Sequence, residues 1–244
     1  MIHVLLPAYN EEDALGRVLE GIGRALADGD FRVWVVDDGS RDGTARVAQD
    51  WASRMGVVLL KRPRNGGLGC AFQTGLSFIL SSMAPSDMLV TLDADNTHPP
   101  QLIPHLLQPL EDGRADVVIA SRFAPGGQSV GVPWPRRLSG QVGRLLFSSF
   151  FRLPGVSDYT GGFRAYRGEL LLKGQKKWRS LVTEAGFVSS LEWLVKLSCF
   201  SPRVMEVPLV LRYDRKPTPS KRPAFPTLVR TLLTMNRFRK MCPS

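Results

Sequence analysis

Two carboxylates stand two residues apart in Asp93-Ala94-Asp95-Asn96-Thr97-His98-Pro99-Pro100, where a short apolar run over residues 88–92 is stopped by a proline pair. Alternate residues of an extended chain point the same way, so Asp93 and Asp95 share one side of a strand end. Like charges so placed repel, and a bound divalent cation is a physical reason to hold them together. The competing outcome for so short a motif is a pair of solvated turn carboxylates. Which one holds depends on what the rest of the chain brings to the same place.

The elements that would position the pair can be read in order. Residues 2–6 form a strand ended by Pro7, and residues 11–27 carry a helical stripe at Ala14, Leu15, Val18, Leu19, Ile22 and Leu26. Asn10 is the expected cap, with Glu11, Glu12 and Asp13 in the first turn. Residues 31–36 are a continuous apolar strand stopped by Asp37-Asp38-Gly39-Ser40, and a helix follows to about residue 54. A strand over 57–60, a glycine-rich loop over 65–69, a helix to 82 and the strand over 88–92 continue the pattern. A helix over 101–110 and a strand over 116–120 complete it.

This alternation predicts a Rossmann-like, doubly wound α/β fold with a mostly parallel sheet. Ligands of such sheets bind outside the carboxyl ends of the strands. Here those ends carry Pro7-Ala8-Tyr9-Asn10-Glu11, Asp37-Asp38, the glycine-rich loop and Asp93-Ala94-Asp95. Their convergence on one crevice favours a binding site over ordinary loop polarity.

The second half is less regular. Gly126-Gly127 and Pro133-Trp134-Pro135 interrupt it, and residues 136–152 then read as a helix with apolar Leu138, Val142, Leu145, Leu146, Phe147 and Phe150 framed by Arg136, Arg137, Arg144 and Arg152. Such a helix is either packed in the core or laid in a membrane interface, arginines toward lipid phosphates. Asp158-Tyr159-Thr160-Gly161-Gly162-Phe163-Arg164 is a turn where backbone can approach a ligand. Glu184-Ala185-Gly186-Phe187 precedes a helix over 188–200, a strand spans 206–211, and a basic stretch fills 212–222. Residues 225–238 suit a terminal amphipathic helix.

Composition narrows the classes. The 244 residues suit one large domain or a domain with an appendage, and 43% hydrophobic content supports a substantial core. The net charge of +10 asks for a polyanionic neighbour: nucleic acid, an anionic membrane surface or phosphorylated substrates. The aromatics share helical faces with aliphatics and offer no base-stacking platform, which argues against nucleic acid. No apolar run reaches the roughly 18–20 residues that span a bilayer, and the apolar strand at residue 2 leaves no room for a leader, so a cytoplasmic location is expected. Cys70, Cys199 and Cys242 lack metal-ligand spacing and are expected as unpaired thiols.

Leu5-Leu6-Pro7-Ala8-Tyr9-Asn10-Glu11, Val35-Val36-Asp37-Asp38-Gly39-Ser40 and Asp93-Ala94-Asp95 with His98-Pro99-Pro100 resemble glycosyltransferase family two, of the GT-A fold. Ala120-Ser121-Arg122-Phe123, Gly161-Gly162-Phe163-Arg164 and residues 215–221 are similar to its polyprenyl- and dolichyl-phosphate mannose synthase branch. The resemblance runs from residue 2 to about 221. It implies a catalytic domain over residues 1–222 with peripheral interfacial helices, and a basic amphipathic tail over 223–244.

The resemblance also implies roles. Pro7, Tyr9, Glu11 and Asp38, with Asp37 adjacent, would hold the nucleotide base and ribose. Ala8, Gly67, Ala94 and Ser139 join the substrate-binding set. Asp93 and Asp95 would face the donor diphosphate, with Asp95 a ligand of Mg²⁺ or Mn²⁺. The mannose synthases commonly have Gln where this chain has Thr97, a shorter hard-oxygen group that can ligate the ion or hold one of its waters. Arg122, Arg136, Arg164, Arg215 and Lys221 would gather phosphates, and Asp93, Asp95, Arg122 and Arg215 form the catalytic set. Pro219 replaces the family's Gly before Ser-Lys.

The chemistry agrees with this arrangement. A sugar hydroxyl acceptor needs a positioned base, for which Asp158 and Glu184 are candidates. A lipid phosphate is already an anion and needs charge neutralisation instead, and arginine suits bidentate phosphate contact. The expectation is therefore a metal-dependent inverting glycosyltransferase, peripheral on the cytoplasmic face of a membrane. It would move mannose from GDP-mannose, or alternatively a hexose from a UDP-sugar, to a polyprenyl phosphate. A hydroxyl acceptor is the third route, and a membrane-anchoring subunit is compatible with each.

Overall fold

The computed structural model describes residues 1–186, 188–216 and 237–238. Its first half is β1 (Ile2–Ala8), α1 (Glu12–Ala25), β2 (Phe31–Asp37), α2 (Thr44–Ala52), β3 (Val57–Lys61), α3 (Leu68–Ser82) and β4 (Met88–Thr91). A 3-10 turn, Pro100–Leu102, then leads into α4 (Ile103–Glu111) and β5 (Val117–Ser121). The strands are continuously apolar because both faces of the sheet are covered. Leu5, Val36 and Leu89 pack with Phe72, Leu76 and Ile79 of α3 on one face. Val4, Leu6, Val35 and Val90 pack with Leu15, Val18 and Leu106 of α1 and α4 on the other.

Two local expectations are corrected. β1 continues through Pro7, because Leu5 offers its carbonyl to Leu92 and Pro7, two residues on, faces the same side beyond the last pair of β1 with β4. A missing N–H costs no ladder bond there. Asn10 does not cap α1. It adopts a left-handed φ of 54°, donates its N–H to Ser40 Oγ at 2.9 Å and accepts the Arg41 N–H at 2.9 Å. Asn tolerates that backbone, and the turn after β1 is thereby stitched to the turn after β2.

The second half adds β6 (Gln128–Val130), α5 (Trp134–Phe151), β7 (Arg164–Arg167), α6 (Gly168–Trp178), α7 (Val188–Ser198), β8 (Val204–Pro208) and β9 (Val210–Arg212). The main sheet has seven strands in the order β3-β2-β1-β4-β7-β5-β8. β7 is antiparallel to both neighbours, and the other pairs in this sheet are parallel. The late strand expected over 206–211 is two strands: β8 joins β5, and β9 pairs with β6 in a separate ribbon. β6, β7 and α6 have no counterpart in the sequence reading.

Phe187, Lys221 and most of the expected terminal helix lie outside the described residues; of that segment, Arg237 pairs with Glu184 and Phe238 is buried in the core. Among the described residues no helix is long and apolar enough to cross a membrane. Cys70 is a free thiol, but Cys199 is disulfide-bonded, which corrects the expectation for that residue. A bridge needs closeness in space, and linear spacing does not reveal it.

Candidate active site

Strand order reverses beside β1, which lies between β2 and β4, and this makes a crevice at their carboxyl ends. The Asp93-Ala94-Asp95 loop leaves β4 there. Asp93 N–H donates to His98 Nδ1 at 3.1 Å. Thr97 turns back on Asp95, giving both its N–H (3.1 Å) and its hydroxyl (2.6 Å) to Oδ1. Asn96 takes the left-handed backbone, φ 62°, that this turn requires. Lys216 Nζ donates to the other oxygen, Oδ2.

The two carboxyls differ in character. Burial pushes Asp93 up, and the repulsion of Asp95 adds to this against the pull of His98. Burial acts the same way on Asp95, but the Lys216 ammonium and the Thr97 hydroxyl outweigh it and hold Asp95 below the ordinary carboxylate range. Burial would lower Lys216, yet Asp95 keeps it above the usual lysine value, with Glu11 and Asp93 contributing.

Beside the pair stands a second ionic unit. Arg122 makes a fork-to-fork contact with Asp158, Nε to Oδ2 at 2.7 Å and Nη2 to Oδ1 at 2.6 Å, and reaches Thr160 Oγ1 at 2.8 Å. Gly161 N–H adds a bond of 2.9 Å to Asp158. Burial alone would raise Asp158, but the guanidinium and these hydrogen bonds hold it at about 2. A carboxylate so locked is a poor base, which removes Asp158 from that role.

Two adjoining cavities open on these groups. A smaller one, about 190 Å³, is lined by Asp93, Asp95, Thr97, Arg122, Arg136 and Lys216. A larger one, about 440 Å³, is lined by Arg122, Arg136, Arg137, Gln128, Gln141 and Tyr213. Arg122, Arg136 and Tyr213 border both. Arg136 donates from Nη1 to the Tyr213 hydroxyl at 2.8 Å and lies over that ring, 5.6 Å from its centre.

The other expected residues are placed as follows. Pro7, Ala8, Tyr9, Glu11 and Asp37 line the ends of β1 and β2, and Asp37 Oδ1 accepts the Ser40 N–H at 2.9 Å. Asp38, expected on the nucleoside, is occupied by its own chain: it pairs with Arg62 and accepts the Gly67 N–H at 2.7 Å and the Gly66 N–H at 3.1 Å. It therefore shapes the glycine-rich loop, where Gly67 has a φ of 88°. Ser139 sits one turn along α5, bonded to the Arg136 carbonyl at 3.0 Å.

Arg164 is not at the cavities. It is buried and donates to the main-chain carbonyls of Ser190 (2.7 Å) and Tyr159 (2.8 Å), so it braces the neighbouring loop instead of meeting phosphate. Arg215 is exposed on a 3-10 turn, Tyr213–Arg215, and borders neither cavity; its neighbour Lys216 does. Lys216 and Tyr213 are site residues that sequence reasoning missed, and Arg137, read only as one of the arginines framing the helix, joins them at the larger cavity. The basic stretch containing Lys216 was a signal, but spacing alone could not rank its members.

Paired carboxylates thus stand at the reversal of a doubly wound sheet, joined to an arginine-lined cavity. Residues 3–174 match Glycosyl transferase family 2, and the chain belongs to that family of glycosyltransferases. Polyprenol monophosphomannose synthase of Mycolicibacterium smegmatis is 34% identical over 210 residues, 84% of this chain and 75% of that protein. Undecaprenyl-phosphate mannosyltransferase of Micrococcus luteus is 33% identical over 214 residues, 84% of this chain and 81% of that one. Glucosyl-3-phosphoglycerate synthase of Mycobacterium tuberculosis, solved with Mn²⁺, UDP and glucosyl-3-phosphoglycerate, matches with a TM-score of 0.71 and 22% identity over 99% of this chain and 80% of that chain. The last likeness establishes the shared GT-A fold.

Proposed function

We propose that the protein transfers a hexosyl group, mannose from GDP-mannose, to a polyprenyl phosphate at a membrane surface. One observation carries this reading: α5 bears both phosphate-type and lipid-type groups. Its first turn supplies Arg136 and Arg137 to the larger cavity. Farther along, it leaves Leu138 57% and Leu145 66% exposed, after Trp134 at 75%. An acceptor with an anionic head and an apolar tail matches that division. The names of the two curated relatives support the same substrate class.

The smaller cavity suits the donor diphosphate. Asp93, Asp95 and Thr97 offer hard oxygens of the kind Mg²⁺ and Mn²⁺ prefer, and the Lys216 ammonium already stands on Asp95 as a cation. Among the described residues no cluster of three or more acids, histidines or cysteines could hold an ion alone. Diphosphate oxygens and water would therefore complete its shell. When bound, the ion would neutralise charge on the departing diphosphate.

The chain's own groups do the rest. Arg136 and Arg137 would hold the acceptor phosphate, and Arg122, fixed by Asp158, would place positive charge between the two anions. A phosphate oxygen then attacks the sugar C1 as the bond from C1 to the nucleoside diphosphate breaks. A single displacement of this kind inverts the anomeric centre. No proton need be removed from the nucleophile, consistent with the locked state of Asp158.

The test is a screen of labelled GDP-mannose, UDP-glucose and UDP-GlcNAc against a short polyprenyl phosphate, with Mg²⁺ or Mn²⁺. Lipid-linked mannose is expected, and Asp95→Asn should abolish it while keeping the fold. Absence of lipid-linked product from every donor would refute the proposal.

A further inference from the structure

A carboxylate that receives a metal ion ordinarily faces water beforehand. Asp95 faces an ammonium of its own chain, and the contact is secluded: the Lys216 and Asp95 side chains are 15% and 11% exposed. Lys216 directly follows the 3-10 turn Tyr213–Arg215, and this segment is fastened at two more points. Arg212 N–H donates to the Thr97 carbonyl at 2.9 Å, within the carboxylate loop itself. The Tyr213 hydroxyl accepts from Arg136 at 2.8 Å, on the side of the larger cavity. One short stretch thus grips the donor carboxylate with one hand and an arginine of the second cavity with the other.

We infer that Lys216 is a tethered counter-ion which a divalent cation must displace from Asp95, so that filling of the donor site releases the segment carrying Tyr213 and Arg215. This inference rests on the donor reading given above. A divalent ion and an ammonium repel one another, and Asp95 Oδ1 already accepts two bonds from Thr97. Oδ2 is therefore the oxygen for which the two cations compete. An ion arriving alone must break the internal pair, whereas an ion arriving with a nucleoside diphosphate brings an anion to which the freed ammonium can turn.

The consequence is ordered assembly. Release of Lys216 also loosens the hold of Tyr213 on Arg136, so that this guanidinium can be drawn toward an acceptor phosphate. Coupling of this kind is reciprocal, so an acceptor phosphate that draws Arg136 away from Tyr213 should in turn favour donor binding. Arg215, exposed on the same turn, would be repositioned by the same event.

The experiment is a Mn²⁺ titration followed by loss of the free-ion EPR signal, with and without GDP or UDP, on wild type, Lys216→Met, Lys216→Arg and Asp95→Asn. Without nucleotide, Lys216→Met should bind Mn²⁺ about ten-fold tighter than wild type, the effect of losing one charge-assisted hydrogen bond. Lys216→Arg, which keeps the cation, should resemble wild type. With nucleotide, wild type and Lys216→Met should converge and Asp95→Asn should fail to bind. If Lys216→Met is no tighter than wild type while nucleotide-dependent uptake persists, the counter-ion is refuted and the donor reading stands. Weaker nucleotide binding by Lys216→Met with no gain in nucleotide-free Mn²⁺ affinity would instead make Lys216 a phosphate ligand only and overturn the inference. No Mn²⁺ uptake by any variant, even with nucleotide, would remove the donor reading and the inference with it.

Discussion

The chemistry at residue scale depends on which charges already have partners. Arg122 and Asp158 form a closed unit, buried at the carboxylate and open toward the cavities at the guanidinium. Removing one member strands the other. Arg122→Ala should cost about 3–5 kcal/mol of stability, the usual result of leaving a buried charge unpaired, read as a lowered urea midpoint. The pH dependence has a definite sign. Asp158 is held at about 2, below the ordinary carboxylate value, so its contribution is full above that ordinary value and is lost as pH falls toward 2. In wild type this should appear as a loss of stability below about pH 4, and in Arg122→Ala, where burial of Asp158 is no longer outweighed by the guanidinium, that acid loss should shrink or disappear. The same reasoning separates Asp95, engaged by Lys216, from Asp93, whose carboxyl burial raises.

Elements were legible where both faces of the sheet are covered, because burial on two sides writes a continuous apolar run. Residues 31–36 and 116–120 were read almost to their ends, against β2 (Phe31–Asp37) and β5 (Val117–Ser121). β7 was not legible: it is four residues long and opens and closes with arginines, Arg164 held by the main-chain carbonyls of Ser190 and Tyr159 and Arg167 by the Ala115 carbonyl and the Asp116 carboxylate. No sequence pattern announces such partners. The paired carboxylates were legible, but the choice of Lys216 over Arg215 was not, since adjacent basic residues differ only in the direction the turn gives them. On α5 the sequence left two roles open, and the helix shows features of both: Phe147 is buried, while Leu138 and Leu145 are exposed. The double variant Leu138→Asp, Leu145→Asp should therefore fold normally, because exposed substitutions move stability by about 0.5 kcal/mol or less. Its flotation with anionic liposomes should fall at least about ten-fold, since each leucine buried in the interface contributes roughly 1.5–3 kcal/mol. Equal flotation of the variant and wild type would show that α5 does not dock on the membrane.

At the scale of the whole molecule the two ends of the sheet do different work. The carboxyl ends expose chemistry, whereas near the start of β1 polar side chains are sealed inside: His3 is buried, accepts the Trp34 indole N–H at Nδ1 (3.1 Å) and lies 3.5 Å from Asp87 through Nε2. With Nδ1 an acceptor, the ring proton belongs on Nε2, directed at Asp87. Charging His3 would place a second proton on Nδ1, against the indole N–H. Burial is the largest influence on this histidine and outweighs the attraction of Asp87, so its pKa lies below 6.5 in the folded protein. The unfolded chain therefore binds the proton more readily, and stability falls as pH drops below about 6.5, with a slope of at most about 1.4 kcal/mol per pH unit. This window lies above the one set by Asp158, so acid should weaken the protein in two stages, first at the base of the sheet and then at the site. Urea midpoints from pH 8 to pH 5 should decline in wild type and stay nearly level in His3→Gln, which removes the titrating ring while keeping a polar side chain for Trp34. An equally steep decline in His3→Gln would place the upper stage elsewhere in the molecule.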